Sequence, residues 1–280
     1  MASPDRPARP QYELTVVSTE RVGPHLVRVV LTGDSLADFG AAEHTDAYVK
    51  LRFTDTDGHP ITRTYTVRAV DREARLLTID FVTHGDVGYA GPWAQQAKGG
   101  DRIVLMGPGS GYAPDPEADW HLLAGDLSAV PAIAASLEAM PAGASGVALL
   151  EVEDPGDVIP LRAPEHVDVQ WLVNPATDDV DYLARAVDGV DWRDGVQVFA
   201  HGERESIKAV RRVLKDRGVP REAISISGYW ARGRTEDAFQ ARSGRRSGRS
   251  TDRRGRGPRC RVLVIRATMR TCRSQTTSPT

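Results

Sequence analysis

The sequence predicts two domains, a six-stranded antiparallel β-barrel followed by an α/β domain built on a parallel sheet. Through the first hundred residues, apolar and polar positions alternate with a period of two in runs of strand length. After residue 119, apolar strands alternate with helical segments instead. The Gly/Pro/Asp-rich stretch 107–119 between these patterns is typical of a linker, so we expect domains at 10–115 and 118–238.

The first region contains six runs with the length and composition of strands, separated by turn sequences such as TDGHP and GGD. Six short antiparallel strands are typical of a small barrel, because closure leaves no exposed sheet edge. The predicted strands cover residues 12–18, 25–33, 47–54, 63–70, 76–82 and 101–107.

The second region alternates strands and helices, a pattern that implies a parallel sheet covered by helices on both faces. The predicted strands are 120–126, 145–154, 167–173, 195–202 and 223–230, and the predicted helices are 128–140 and 205–218. Gly218 fits a helix stop. A barrel followed by a Rossmann-like nucleotide-binding domain is the architecture of ferredoxin reductases.

Charge is unevenly distributed along the chain. Residues 241–280 hold twelve arginines and one aspartate, a formal charge of +11, so the total of −2 leaves −13 for residues 1–240. An arginine-rich tail of this kind is expected to be disordered, and it could bind nucleic acid. The tail lacks interleaved aromatic residues and the acidic body resembles no recognition module, so no nucleic-acid partner is predicted.

Targeting signals and metal-binding patterns are not found in the sequence. The N-terminus has no apolar run suited to a signal peptide, and no stretch approaches the ~20 apolar residues of a membrane span, so we expect a soluble cytoplasmic protein. Cys260 and Cys272 lie outside any C-x-x-C pattern, and the seven histidines show no metal-ligand spacing. No metal site is predicted.

The stretch RTYT in the fourth predicted strand places Arg63 and Tyr65 two residues apart, on the face opposite Thr64 and Thr66. A flavin would explain the pairing, because its ring system stacks on an aromatic face and its phosphates suit a guanidinium group. A barrel strand with a rim tyrosine and a solvated arginine is the alternative.

The segment DFVTHGDVGYAGPWAQQA, residues 80–97, ends a strand, passes through glycines and begins a short helix with Pro92 in its first turn. A helix N-terminus offers N–H groups and a positive dipole end to a pyrophosphate. The alternative is a crossover helix that closes one mouth of the barrel.

These motifs, together with GDRIVLMGPGSGY, DWHLLAGDLSAVPAIAASLE, HGE and SISGYWARGRTED, resemble the siderophore-interacting protein family, flavin-dependent ferric-siderophore reductases, from about residue 12 to about residue 238. The resemblance implies an FAD-binding barrel and a nucleotide-binding α/β domain. The FAD residues it implies are Arg63, Tyr65, Thr66, Val67, Asp80, Phe81, Val82, His84, Gly85, Gly91, Pro92, Trp93 and Ala94.

The resemblance also implies a site for NADPH or NADH beyond the first strand of the α/β domain and at the HGE turn. The implied residues are Asp126, Ser128, Ala129, Gly202, Glu203 and Lys208; Ser128 could instead cap the following helix. An anionic ferric siderophore near an acidic body requires a local basic cleft. The resemblance implies Lys50 for it, and the stretch GYWARGR adds Arg232, with Trp230 as an aromatic face for the flavin or a catecholate.

The function implied is reduction of Fe(III)-siderophore in the cytoplasm, with electrons from NAD(P)H through FAD; ferredoxin is an alternative donor, and a monomer is expected. No catalytic side chain is predicted, because electron transfer through FAD needs no nucleophile or general base. A siderophore carrier without catalysis and a general NAD(P)H-flavin reductase are the other interpretations.

The tail departs from the family, whose members usually continue past GRTEDAF into an acidic or mixed helix. Here the sequence turns to Arg, Ser, Gly and Thr, which suggests a reading-frame change in the gene near residue 242.

Overall fold

In the computed structural model, the described residues are 10–40, 44–55, 57–83, 88–176 and 178–233, with the backbone of 263–266. The order of elements agrees with the sequence pattern: a closed antiparallel barrel comes first and a six-stranded sheet follows. The predicted fold class is therefore confirmed.

The barrel closes in the strand order β1-β2-β5-β4-β3-β6, and every neighbouring pair is antiparallel. Its core consists of the inward-facing residues of all six strands, with Leu14, Val29, Leu51, Ile79 and Leu105 each 1% exposed or less. The strands are β1 (Gln11–Gly23), β2 (Leu26–Thr32), β3 (Tyr48–Thr54), β4 (Pro60–Asp71), β5 (Leu76–Val82) and β6 (Arg102–Gly109), and helix α1 (Ala90–Gln96) lies between β5 and β6.

The second sheet has the order β11-β10-β7-β8-β9-β12, and its first five strands are parallel. Apolar clusters cover both faces, one built around α2 and Trp171 and the other around α3 and α4. The elements are β7 (Trp120–Asp126), α2 (Val130–Ala139), β8 (Ser145–Val152), β9 (His166–Val173), α3 (Tyr182–Asp188), β10 (Val196–Glu203), α4 (Arg204–Asp216), β11 (Ile224–Trp230) and β12 (Leu263–Arg266).

Three details differ from the sequence-based expectation. Helix α3 was not predicted, because it is short and follows a polar stretch, residues 174–181. Strand β6 continues to Gly109, two residues beyond the end of the predicted strand at residue 107. Within the tail expected to be disordered, residues 263–266 form β12, which pairs antiparallel with β9.

Helix α4 ends as predicted. Gly218 has a φ of +72°, its N–H bonds to the carbonyl of Lys215, and the N–H of Val219 bonds to the carbonyl of Leu214. This is the Schellman motif, in which a glycine adopts the left-handed conformation that is unfavourable for residues with a Cβ atom.

Several specific contacts fix the barrel against the α/β domain. Arg68 on β4 donates two hydrogen bonds to Glu138 on α2, at 2.8 and 2.6 Å. At the start of β2, the backbone N–H and the ring Nδ1 of His25 lie 2.9 and 2.7 Å from the carboxylate of Asp157. Leu26, fully buried, packs in the apolar cluster of the α/β domain. The two domains therefore share a packed interface, and the cleft described below opens beside it.

Candidate functional site

A cleft of about 760 Å³ lies between the barrel and the carboxyl ends of the parallel strands. Its volume falls within the range of about 300–1,000 Å³ that is usual for small-molecule and cofactor sites. Ligands of open α/β sheets bind at this edge of the sheet. The described lining residues with a charged or imidazole side chain are His25, Asp46, Asp80, Asp126, Glu151, Glu153, Asp157, His201, Glu203 and Arg232.

The barrel wall of the cleft is formed by the ends of β4 and β5. Four of the residues that were assigned to FAD from the sequence line it: Tyr65, Thr66, Asp80 and Val82. The half-buried ring of Tyr65 packs against Phe81 with centroids 4.5 Å apart, so its position is fixed from behind. An aromatic face held in this way can stack on a planar ring system.

Asp80 is not a free anion in this wall. Arg28 on β2 donates two hydrogen bonds to its carboxylate, at 2.7 and 2.8 Å, and the aspartate side chain is 1% exposed. The bidentate pair raises the pKa of Arg28 and compensates the buried charge. The position of Asp80 follows from the cross-strand pairing of Arg28 with it.

Thr66 is buried, although it points away from the barrel core. The hydroxyl of Tyr229, on β11 of the other domain, hydrogen-bonds with its side chain. Burial raises the pKa of Tyr229, which therefore stays protonated at neutral pH. The sequence alternation places Thr66 on an outer face, and the second domain covers that face.

Val67 and Phe81 belong to the barrel core, at 5% and 0% exposure, and do not line the cleft. Arg63 is also buried: it donates to the carbonyl of Thr62 at 2.9 Å, and its guanidinium lies 5.4 Å from the ring centre of Tyr89. Because Tyr89 precedes α1, the structure brings Arg63 to the N-terminal end of that helix, where the sequence analysis expected a pyrophosphate.

Helix α1 packs beside the end of β5. Trp93 contacts Phe53 and Phe81, with ring centroids 5.9 and 5.6 Å apart, while Gly91 and Ala94 are buried. Pro92 stands in the first turn, as predicted, but none of these four residues lines the 760 Å³ cleft. His84 and Gly85 lie outside the described residues.

On the α/β wall, Asp126 at the end of β7 accepts four hydrogen bonds. They come from the backbone N–H of Ser128 at 2.9 Å, the Ser128 hydroxyl at 2.5 Å, the backbone N–H of Glu203 at 2.6 Å, and Nε1 of Trp230 at 2.8 Å. Burial raises the pKa of Asp126, and these donors oppose the shift. Ser128 does not cap α2, whose N-cap is Ala129 and which has no side-chain cap.

Two glycines permit this close approach of strands. Gly202 has a φ of +149°, and a Cβ there would lie 2.7 Å from an oxygen of Asp126. A Cβ on Gly125 would lie 2.5 Å from both the Cβ of Ala129 and the carbonyl oxygen of His201. Ala129 itself is fully buried, so it shapes the wall from behind.

Glu203 is buried and has a structural task of its own. One of its oxygens accepts from the backbone N–H groups of Glu205 and Ser206 at 2.6 and 3.0 Å, which caps α4. The other accepts from the backbone N–H of Arg232 at 3.1 Å. The carboxylate of Glu203 therefore occupies the N-terminus of α4. In the same way, the carboxylate of Asp126 occupies the turn before α2.

Two of the three predicted substrate residues lie together in the cleft. Trp230 and Arg232 both line it, with the guanidinium 5.8 Å from the tryptophan ring centre. Arg232 also lines a side pocket of about 320 Å³ that contains Arg204 and Lys208. Lys50 does not line the cleft, but it is the cross-strand partner of Thr64, which does.

Charge in the cleft differs from the expected basic character. Among the described lining residues, seven are carboxylates, and Arg232 is the one lysine or arginine. Several of these carboxylates are already bound by donors: Asp46, for example, accepts from the N–H groups of Gly111 and Tyr112 at 2.9 Å. The sequence shows that residues 1–240 are acidic as a whole, but the convergence of their carboxylates in this cleft depends on the fold.

Sequence reasoning missed Glu151, Asn174 and His201. All three line the cleft, and Asn174 donates to Glu151 at 2.7 Å. Burial lowers the pKa of His201 to about 3, so its ring is neutral between Phe199 and Tyr229. Their position at or just beyond the carboxyl ends of strands is the signal that could have identified them.

An exposed turn between β3 and β4 holds Asp55, Asp57 and His59 with their ligand atoms within 4.8 Å of one another. One oxygen of Asp55 accepts from the backbone N–H groups of Asp57 and His59, at 2.9 and 2.7 Å, which accounts for the cluster as a turn. In the described part of the chain, no helix has the length and apolar character needed to cross a membrane.

Comparison with known proteins gives two family matches and close relatives. The siderophore-interacting FAD-binding domain matches residues 15–59 and 52–112, and the siderophore-interacting protein family matches residues 118–233. The chain is 45% identical over 266 residues to an uncharacterised protein of Mycobacterium tuberculosis, covering 83% of this chain and 94% of the relative. It is 36% identical over 251 residues to ferric vibriobactin reductase ViuB of Vibrio cholerae, covering 81% and 91%.

Among solved structures, the siderophore-interacting protein SipS from Aeromonas hydrophila is similar with a TM-score of 0.74 and 32% identity, over 84% of this chain and 96% of that one. Ferredoxin reductases share the same two-domain fold. The resemblance inferred from the sequence is thus confirmed, and the chain belongs to the siderophore-interacting protein family, with its FAD-binding domain in the barrel.

Proposed function

We propose that this protein is a cytoplasmic ferric-siderophore reductase that passes electrons from NADPH or NADH through FAD to Fe(III). The observation that carries the proposal is the single cleft to which both domains contribute walls. A group held by β4 and β5 and a group held by the carboxyl ends of the parallel strands would share one space there. The relationship to a ferric vibriobactin reductase supports the same reaction.

The barrel residues suit a flavin. The exposed side of Tyr65, backed by Phe81, offers a stacking face, and Arg63 at the start of α1 offers a guanidinium group for phosphate. Thr66, Asp80, Val82, Gly91 and Pro92 would shape the same FAD site. Bound FAD would supply the chemistry by accepting two electrons as hydride and releasing them one at a time. The chain's task is then to hold the partners in place and to exclude water.

The donor nucleotide would meet the α/β wall. Because Asp126 and Glu203 already accept from N–H groups in the turn before α2 and at the start of α4, we expect the phosphates of the nucleotide to contact side chains. The side pocket next to the cleft is lined by Lys208, Arg204 and Arg232, whose positive charges could contact the phosphates of the nucleotide. Asp126, Ser128, Ala129, Gly202 and Glu203 shape this wall rather than bind phosphate.

The ferric siderophore would approach the end of the cleft where Arg232 and Trp230 lie, with Lys50 on the adjoining barrel face. Its Fe(III) is held by anionic oxygen donors, and reduction to Fe(II) weakens a site of this hard-oxygen type, so that iron can leave. Arg232 is the one lysine or arginine among the described residues of an otherwise acidic lining, and Lys50 lies beside Thr64 of that lining, so both cations would attract an anion.

Anaerobic mixing of the purified protein with NADPH and, separately, with NADH tests the proposal. We expect the yellow flavin absorbance to bleach with at least one nucleotide and to return on addition of a ferric siderophore, with two Fe(II) formed for each nucleotide oxidised. A siderophore carrier would show no bleaching. A general flavin reductase would bleach but would recover no faster with the ferric siderophore than with other acceptors, and a ferredoxin-dependent enzyme would respond to reduced ferredoxin alone.

Replacement of Tyr65 by alanine should weaken FAD binding, because it removes the stacking face. A loss of about 1 kcal/mol corresponds to a Kd for FAD about fivefold higher. Tyr65→Phe keeps the ring and should retain FAD nearly as well, which separates stacking from the hydroxyl. The measurement is equilibrium dialysis of the apoprotein with FAD. Equal affinity of the alanine variant and the unmodified protein would refute the assignment of RTYT to the flavin.

Lys50→Ala and Arg232→Ala should each raise the KM for an anionic ferric siderophore by about threefold or more at low salt, with a smaller effect on kcat. The effect should shrink as salt is added, since the Debye length falls from ~10 Å at 0.1 M to ~3 Å at 1 M. Arg52→Ala is the matched control, because Arg52 lies on the same face of β3 but further from the cleft and beside Gln11.

These variants are compared by steady-state kinetics at two ionic strengths. A KM unchanged in both variants would place the substrate elsewhere. A slower flavin reduction by NAD(P)H in Arg232→Ala would instead assign Arg232 to the nucleotide, in agreement with its second position in the side pocket.

A further inference from the structure

Glu151 is a carboxylate of the cleft that the proposed mechanism does not use. It stands at the carboxyl end of β8, between the end of β7 and the residue that follows β9, and it is half-buried. Asn174 holds it: the side-chain amide donates to Oε1 of Glu151 at 2.7 Å. Asn174 is itself fixed, because its side-chain oxygen accepts from Ala176 and its backbone N–H donates to Val152.

The hydrogen bond from Asn174 does not require a charge at position 151. The carbonyl oxygen of a neutral glutamine could also accept it, since the donor is an uncharged amide. In the described part of the chain, the second oxygen of Glu151 accepts no hydrogen bond from the protein. The carboxylate is therefore oriented by its neighbours, and one oxygen is left for the cleft.

The charges that act on Glu151 come from Asp126 at the end of β7, from Arg232 after β11 and from Asp179, which follows β9 and is paired with Arg185. Glu203, at the end of β10, lines the same cleft. Glu153 and Asp157, on the connection after β8, line the same cleft. Arg232 is the one lysine or arginine in this described set that also lines the cleft.

This environment makes Glu151 titratable near neutral pH. Burial raises its pKa to about 7; the hydrogen bond from Asn174 and the charge of Arg232 oppose the shift, and the charges of Asp126 and Asp179 add to it. Between pH 6 and 8 the cleft thus gains a negative charge that interacts with Arg232.

We propose that Glu151 makes the cleft select between ligands by their charge, because its ionised carboxylate competes with an anionic ferric siderophore for Arg232. Protonation of Glu151 leaves Arg232 available and strengthens binding of the anion. The affinity of a neutral ferric complex does not change with the protonation of Glu151. The inference rests on the proposed function, in which the siderophore lies beside Arg232. It makes Glu151 a specificity-determining residue rather than a catalytic one.

The test uses the FAD-loaded protein and two gallium(III) complexes, which cannot be reduced. One is a hexadentate tris-catecholate of charge −3, and the other is a neutral trihydroxamate. Binding is followed by the change in flavin absorbance, or by tryptophan fluorescence, at pH 6, 7 and 8. For the unmodified protein we expect the Kd of the tris-catecholate to rise about fivefold from pH 6 to pH 8, with no such rise for the trihydroxamate.

Glu151→Gln should abolish this pH dependence and bind the tris-catecholate at pH 8 as tightly as the unmodified protein does at pH 6. Glu153→Gln is the matched control, since it removes an exposed carboxylate of the same cleft, and it should keep the slope. A flat profile in the unmodified protein, or an unchanged slope in Glu151→Gln, overturns the inference while the proposed function stands. If neither complex binds the unmodified protein at any pH, the proposed siderophore site itself fails, and the inference fails with it.

Thermal unfolding supplies a second readout that needs no ligand. The pKa of Glu151 is higher in the folded protein than the ordinary value of 4.5, so the stability from its protonated form is present below pH 4.5 and is lost as pH rises through about 7. Glu151→Gln should remove this part of the pH dependence and raise Tm at pH 8 by a few degrees relative to the unmodified protein. Parallel Tm profiles of the two proteins from pH 5 to 8 would contradict the titration on which the inference depends.

Discussion

The carboxylate of Asp126 is the interaction on which the α/β wall of the cleft depends. It ties together the ends of β7, β10 and β11 through donors on Ser128, Glu203 and Trp230. Each hydrogen bond to a charged group contributes about 1.5–3 kcal/mol, so the four donors offset part of the cost of burying the carboxylate. The backbone at position 202 can come this near only because a glycine stands there.

Other parts of the wall follow from this arrangement. The N–H of Glu203 is fixed by Asp126, so the Glu203 side chain is placed to cap α4 and to bind the N–H of Arg232. Trp230, fixed through its ring N–H, lies beside the guanidinium of Arg232. The orientation of the Arg232 guanidinium in the cleft therefore depends on the carboxylate of Asp126, which holds Trp230 in place. On the opposite wall, Tyr65 is held by Phe81, and the contact of Thr66 with Tyr229 joins the two walls.

Much of the fold could be predicted from sequence, because period-two and strand–helix alternation directly reflect which face of each element is buried. All eleven strands expected before the tail are present, and their turns lie where Gly, Pro and Asp predicted them. Helix α3 and strand β12 were missed because each is short and its place depends on tertiary contacts rather than on local pattern.

The site was less predictable. Tyr65, Asp80, Asp126, Trp230 and Arg232 converge as the family motifs implied, but the partners that determine their charge come from distant segments. Arg28 on β2 pairs with Asp80 on the neighbouring strand β5, and Glu151 meets Asn174 because the ends of β8 and β9 lie side by side. The charge of Arg232 acts on Glu151 from the segment after β11. Contacts between residues that are far apart in the sequence leave no pattern in a local stretch of sequence. The acidic lining of the cleft was therefore not predicted from the charge of the chain as a whole.

The proposed function requires one cleft with two separable walls, a barrel wall for FAD and an α/β wall, organised by Asp126, for the electron donor. Asp126→Asn keeps the shape of the side chain but turns one acceptor into a donor that faces other N–H groups. The most direct measurement is the stopped-flow rate of flavin reduction in this variant, taken together with its FAD content. The account predicts an FAD content close to one per chain and a reduction rate lowered by about tenfold or more. An unchanged reduction rate, or loss of FAD together with activity, would contradict it.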